Sequence, residues 1–259
     1  MLVDCFTFFN ELDLLECRLE YLYNKVDRFV IVESDRTHTC NKKPLHFKEN
    51  QARYQKYLDK IVYVVYKNSN TSTNSAWIHE NAQRASIMEG LTDLPDDAWV
   101  MISDLDEIPN IDVIDPVINA KVAQEYTFLQ DMFYYNFKQK DVNPWSGTTF
   151  TQMKGIRREE TIGGPQYFRS IRTKLKYVAN GGWHLSYWTT PDNIKHKIES
   201  FAHQEYNQKI YKDIENITES IKKGRNIFGT AEYRSTSKVD INTLPPQIVQ
   251  IFGKCQVFV

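Results

Sequence analysis

Apolar residues come in short unbroken runs through the first hundred positions and in mixed patterns after that. Leu2 to Phe9, Arg28 to Ser34, Ile61 to Tyr66 and the run Trp99-Val100-Met101-Ile102 are short and β-rich. Continuous apolarity over such a length is what a strand covered on both faces requires. Between the runs lie helical patterns. Leu15, Leu19 and Leu22 recur at helical spacing after Asn10-Glu11-Leu12-Asp13, Asn50 to Lys60 is helical, and Trp77 to Leu91 forms a helix ending near Gly90. Strand and helix alternate four times, which predicts a parallel, helix-covered sheet and an α/β fold. Asn68 to Ser75 is polar and reads as a long loop.

Beyond Pro109 the pattern changes. Tyr126 to Phe137 is a strongly aromatic strand, Asp141 to Gly155 reads as loop, and Lys154 to Lys176 is basic. Gly181 to Trp188 is a compact strand containing His184. Thr190-Pro191-Asp192 then opens a long amphipathic helix with Ile194, Ile198 and Phe201 on one face. His196, Glu199 and His203 fall on its opposite face and read as surface residues. From Ser235 the tail is mixed and wraps the domain.

Composition narrows the class. The chain has 259 residues, 41% hydrophobic and 25% charged, which suits one large α/β domain over 1–259. A net charge of -1 excludes a broad electrostatic footprint for nucleic acid. No apolar run approaches the roughly 18 residues of a membrane span. The four cysteines are scattered, as for free thiols in a reducing compartment, and Asp4 interrupts the apolar start that a signal peptide needs. The protein is expected to be cytoplasmic.

The densest chemistry is in Ile102-Ser103-Asp104-Leu105-Asp106-Glu107-Ile108-Pro109. In an extended chain Asp104 and Asp106 point the same way, about 7 Å apart. They sit at the carboxyl end of a strand, where open α/β sheets bind ligands. Two carboxylates this close call for a cation or donors, and all-oxygen ligands favour Mg²⁺ or Mn²⁺. A solvated acidic turn is the alternative. Glu33 ends the second strand at the same sheet edge, where it is either a ligand contact or a loop hydrogen bond.

Four segments together, Phe9 to Leu15, Val30 to Ser34, Ile102 to Pro109 and Gly182 to Ser186, resemble glycosyltransferase family 17, which includes the β-1,4-N-acetylglucosaminyltransferases that bisect N-glycans. The resemblance implies a GT-A fold, a UDP-sugar donor, a divalent metal and inversion at the anomeric carbon. It divides the domain into a nucleotide-sugar-binding half (1–109), an acceptor and metal-completing half (110–234) and a tail (235–259). UDP-N-acetylglucosamine is the implied donor and a glycan hydroxyl the acceptor. A small cytoplasmic form of such an enzyme fits a microbial or viral source.

Carried onto this chain, the resemblance makes Asp106 a metal ligand and Asp104 a second ligand or a ribose contact. His184 supplies a nitrogen ligand or is a buried, hydrogen-bonded histidine. Glu107 supports the pair. Arg84, one helix before the motif, contacts the nucleotide or forms a surface ion pair; Glu33 contacts uridine, and Glu11 lies beside the same pocket. Arg157 and Arg158 are candidates for the diphosphate. Inversion needs a general base; Asp192 is the first candidate, with helix capping as its alternative, and Glu205 the reserve. Two other functions compete: a D-x-D phosphotransferase with an aspartyl nucleophile, and a nucleotide-sugar- or glycan-binding protein of this fold without turnover.

Overall fold

The computed structural model describes residues 1–67, 75–120, 125–229 and 236–256. The four apolar runs are strands β1 (Leu2–Phe8), β2 (Arg28–Ser34), β3 (Ile61–Tyr66) and β4 (Trp99–Asp104). They lie parallel in the order β4-β1-β2-β3. Both faces are buried, which is why the runs do not alternate. Val3, Cys5, Val30, Val32, Val100 and Ile102 enter one apolar cluster, while Phe6, Phe8, Phe29, Ile31 and Met101 enter another. Helix α1 (Leu12–Leu22) covers the second cluster with Leu15, Leu19 and Leu22, all fully buried. Truncating one such leucine to alanine costs about 2–5 kcal/mol.

The stretch before β3 is helical but not one α-helix: His46–Glu49 is followed by a 3₁₀ segment, Gln51–Lys60. Before β4, helix α2 (Ala76–Ala85) tightens into a 3₁₀ turn over Ser86–Gly90. The Asn68 to Ser75 loop lies, but for Ser75, outside the described residues.

The second half extends the same sheet with β5 (Glu107–Pro109), β6 (Glu125–Tyr134), β7 (Gln139–Asp141), β8 (Trp145–Gln152), β9 (Lys176–Ser186) and β10 (Thr236–Lys238). The α/β, GT-A-like expectation holds: a parallel core continued by a mixed half. β8 runs antiparallel between β4 and β6, and β9 pairs with β6 and with β5. β8 corrects the loop expected over Asp141 to Gly155. Pro144 and Gly147 look like breakers there, yet Gly147 is a strand residue whose missing Cβ leaves room for Gln130, 1.8 Å from where that atom would stand.

The basic stretch folds into Met153–Arg158 and helix α3 (Pro165–Ile171). Helix α4 (Pro191–Ser200) and helix α5 (Ile214–Lys223) then bury Ile194, Ile198, Ile217 and Ile221 against Met132, Tyr134 and Tyr187. That packing holds α4 beside the carboxyl ends of β1 and β4. In the tail, β10 pairs with β7, and helix α6 (Pro246–Phe252) packs on α1. Among the described residues no helix is long and apolar enough to cross a membrane.

Candidate active site

The D-x-D segment is not extended. β4 stops at Asp104, Leu105 and Asp106 form a turn, and β5 begins at Glu107. The turn is built around Arg18 of α1, which is completely buried. Its Nη1 donates to the carbonyls of Asp104 (3.1 Å), Leu105 (2.9 Å) and Glu107 (2.8 Å). Its other nitrogens donate to both oxygens of Asp4 (2.9 and 2.7 Å) and to Ser103 Oγ (2.7 Å). Arg18 and Asp4 were absent from the expected site. The available signal was a charge on the leucine stripe of α1 and another inside an apolar strand.

The turn sends its two carboxylates to different partners. Asp104 accepts from Arg84 Nη2 (2.8 Å) and Arg169 Nη2 (2.6 Å), one guanidinium on each oxygen. Burial pushes its carboxyl up, but Arg169 and Arg84 outweigh that and hold it well below the usual carboxylate range. Glu107 is fully buried and braces the pair: one oxygen takes Arg169 Nη1 (2.8 Å) and the Asp104 N–H (3.1 Å), the other takes Trp145 Nε1 (2.6 Å).

Asp106 faces His184, because β5 and β9 pair Glu107 with His184. Gly182 makes that pairing possible: its φ is +136°, and a Cβ would stand 2.0 Å from the Ile108 carbonyl oxygen. His184 Nε2 lies 3.5 Å from Asp106 Oδ1, and Lys197 Nζ of α4 lies 3.3 Å from Oδ2. Burial again raises the Asp106 carboxyl, and Lys197 followed by His184 brings it below its ordinary value. Lys197 also donates to Glu11 (3.0 Å), so Glu11 and Asp106 share one ammonium.

Glu11, Asp104, Asp106, His184 and Lys197 line one cavity of about 990 Å³. One wall is cationic: Arg84, Arg169, Arg172 and Lys197. Arg172 donates to the carbonyls of Ser146 (2.9 Å) and Arg169 (3.0 Å) and lies over the Trp145 ring. Burial first and Arg169 next hold its guanidinium below the ordinary value, as expected of a cation short of an anion. The lining is also aromatic, with Trp77, Phe201, His203, Tyr206 and Phe228.

A divalent ion fits part of this set. A separation of 3.5 Å lets Asp106 Oδ1 and His184 Nε2 bind one ion side by side, with bonds of about 2.1 Å. His184 Nδ1 is buried without a hydrogen bond, so no protein group competes for that ring through it. Among the described residues no three His, Cys, Asp or Glu side chains converge as a metal cluster. Two protein ligands suit an ion that completes its shell from substrate phosphates and water. Of the two roles expected for Asp104, ligand or ribose contact, the ligand role is the one its two guanidinium partners work against, since each occupies one carboxylate oxygen.

Several expected contacts lie elsewhere. Glu33 is fully buried and takes hydrogen bonds from Lys43 Nζ (2.8 Å), the His46 N–H (2.6 Å), the Phe47 N–H (3.1 Å) and Tyr63 Oη (2.8 Å). It fixes the loop after β2 and does not line the cavity. Arg157 pairs with Asp96, and Arg158 pairs with Glu125 (2.5 Å), at the amino end of β4 and away from the site. Two of the cavity's arginines, Arg169 and Arg172, come instead from the next helical turns of the same basic stretch. Asp192 is exposed in the first turn of α4, which is capped by Thr190 rather than by it. Glu205 is exposed and outside the cavity, but it binds His203, which is inside. His203 is exposed, as expected of a surface residue, but it lies beyond the end of α4 and also lines the cavity; His196 stacks on Phe9.

The model of glycosyltransferase family 17 matches residues 1–240. The β-1,4-mannosyl-glycoprotein 4-β-N-acetylglucosaminyltransferases of rat and human are each 26% identical over 224 residues, covering 74% of this chain and 41% of theirs. The chain thus spans about two fifths of their length. Among solved structures, a putative nucleotide-diphospho-sugar transferase from Desulfovibrio desulfuricans has 7% identity and a TM-score of 0.38, covering 85% of this chain and 94% of that one. Glucosyl-3-phosphoglycerate synthase from Mycobacterium tuberculosis, solved with Mn²⁺, UDP and phosphoglyceric acid, has 12% identity and a TM-score of 0.35, covering 72% and 69%.

Proposed function

The chain belongs to glycosyltransferase family 17, and we propose that it moves a sugar, N-acetylglucosamine foremost, from a UDP donor to a glycan hydroxyl, with inversion. The observation that carries this is one cavity lined by Arg84, Arg169, Arg172 and Lys197 together with the Asp106–His184 pair. Breaking the bond to the diphosphate puts negative charge on its oxygens. Fixed guanidiniums in a partly dry site stabilise that charge without reorganising. A divalent ion bound at Asp106 and His184 supplies Lewis-acid stabilisation to the same group.

The protein's own residues hold the rest. Arg84, held by Glu80, Asp104 and Gln166, and Arg169, held by Asp104 and Glu107, are the guanidiniums set beside the diphosphate in this scheme. Arg172 adds a third guanidinium on the donor-sugar side, over Trp145. Thr7, Arg36, Thr37 and His38 line the end of the cavity next to β1 and β2, where the nucleoside is placed in this scheme. The uridine and N-acetylglucosamine assignments rest on the family and on the names of the rat and human relatives. A β-mannosyl glycan is the acceptor those names suggest.

The test is UDP release from UDP-N-acetylglucosamine with Mn²⁺, against GDP- and CMP-sugars and against EDTA. Release confined to the UDP donor and abolished by EDTA supports the assignment. Release undiminished in EDTA removes the metal, and thermal stabilisation by UDP with no turnover identifies a binding protein. A nucleotide at a hundred times its dissociation constant adds about 2.7 kcal/mol of stability, readily seen as a shift in Tm.

A further inference from the structure

Transfer needs a group to take the acceptor's proton, and both acidic candidates from the sequence lie outside the cavity. Among the described residues lining it, nearly every acid or base is engaged. Glu11 holds Lys197 (3.0 Å), Glu80 holds Arg84 (3.0 Å), Asp104 holds two arginines, and Asp106 holds Lys197 and faces His184. His38 Nε2 is taken by Gln83 (3.0 Å), and its unbonded Nδ1 is buried, 3.8 Å from Glu80, where no acceptor can reach it. His203 differs. Its Nδ1 meets Glu205 Oε1 at 2.6 Å, and its Nε2 has no hydrogen-bond partner among the described residues. Donation from Nδ1 to the carboxylate leaves the lone pair on Nε2.

The position of the ring fits the task. Trp77, Glu80 and Arg84 share one face of α2. Arg84 grips Asp104 at the diphosphate end, and Trp77, two turns earlier, meets the His203 ring edge-on at 4.5 Å. Seven residues of helix span about 10 Å. His203 therefore meets α2 about 10 Å along its axis from the diphosphate end, on the acceptor side of a donor sugar. The surrounding surface suits a pyranose: Trp77 is 40% exposed, Phe201 and Tyr206 flank His203 at 5.7 and 5.8 Å, and Phe228 stacks on Tyr206 at 4.3 Å. Aromatic faces bind the C–H faces of sugars and leave hydroxyls free at the edge.

We propose that His203, oriented by Glu205, is the catalytic base for an acceptor sugar seated on the Trp77–Tyr206–Phe228 surface. The inference rests on the glycosyltransferase assignment. The acceptor oxygen bonds to the anomeric carbon as its proton passes to His203 Nε2. The bond from that carbon to the diphosphate oxygen breaks, and UDP leaves with the electron pair. The imidazolium then returns its proton to solvent.

The test uses the full chain with Mn²⁺ and UDP-N-acetylglucosamine, with p-nitrophenyl β-mannoside or water as the acceptor. His203→Gln is expected to lower turnover about 10²- to 10⁴-fold while UDP affinity by calorimetry and Tm stay at wild-type values. Imidazole added to His203→Gly restores part of the rate. Glu205→Gln, on an exposed site that tolerates change, lowers turnover about tenfold. Turnover of His203→Gln within threefold of wild type overturns the assignment, as does loss of UDP binding together with turnover, or failure of imidazole to rescue. A wild-type protein that releases no UDP from any donor defeats the glycosyltransferase reading itself, which is a separate outcome.

Discussion

Strand β4 has arginine–carboxylate pairs at both ends, and the two ends use them differently. At the amino end, Arg157 meets Asp96 and Arg158 meets Glu125 and Glu159, with these arginine side chains 35% and 55% exposed. At the carboxyl end, Arg84 and Arg169 meet Asp104 with 3% and 7% exposed. The ion types are the same, but the surroundings are not. Water screens the first set, and such pairs are worth little. Burial makes the second set expensive to break and keeps its geometry fixed. A basic sequence run does not by itself say which of these it will become.

Arg18 offers the largest break in that contrast. Arg18→Met leaves Asp4 buried without a cation and frees the turn's carbonyls. Loss of about 3–5 kcal/mol of stability is expected, read by urea denaturation, with UDP release falling to background. Arg18→Lys restores charge but cannot span Asp4, Ser103 and three carbonyls at once, so it recovers little activity. Wild-type UDP release by Arg18→Met would show that the turn does not need its brace.

Asp106→Asn is expected to fall next in size. Removing one charged ligand opposite His184 should cost turnover on the order of a thousand-fold, about 4 kcal/mol of barrier, while the chain stays folded. Mn²⁺ titration of the variant, followed by UDP-dependent thermal shift, should show a weakened metal response. An unchanged metal midpoint would move the ion away from Asp106.

Arg172→Ala sharpens the difference between a cation that binds substrate and one that binds protein. Its side chain donates only to two backbone carbonyls and makes no ion pair among the described residues. Stability should change little, while turnover falls about ten- to a hundred-fold, about 1.5–3 kcal/mol. A drop in Tm with normal turnover would make it a loop brace instead.

The sequence makes some of this legible and hides the rest for physical reasons. Strands β2 and β3 are readable to the residue because both are unbroken apolar runs, β2 buried on both faces and β3 partly buried at the sheet edge. β8 was not, since its Thr148, Thr149 and Thr151 look polar yet are buried, with Thr148 and Thr149 hydrogen-bonding across the sheet to Glu107 and Ile102. The facing of His184 and the D-x-D segment follows from strand pairing, which local patterns do not show. Glu33 sits at a ligand edge by sequence, but the chain folds back over it and uses both of its oxygens. Arg157 and Arg169 differ by their elements' orientation alone. Arg169 and Arg172, three residues apart on one helical face and its continuation, are the pair of that stretch that lines the cavity.

The smallest expected effect is also the sharpest control. Arg157 donates to Asp96 and to the Leu94 carbonyl (2.5 Å) at the amino end of β4. Asp96 is 69% exposed, so most of its hydration persists with or without the arginine. Replacing Arg157 by alanine therefore removes a screened attraction and one loop hydrogen bond, while water takes over both partners. A change of about 0.2–1 kcal/mol is expected in urea denaturation, reduced further by salt. UDP release should match wild type, because no residue of the cavity touches this pair. Arg169→Ala, from the same basic stretch, should instead lose both stability and turnover, since it strips the counter-charge from Asp104 and Glu107 together. Equal losses in the two variants would mean that the amino end of β4 carries substrate after all, and that burial does not separate the two sets.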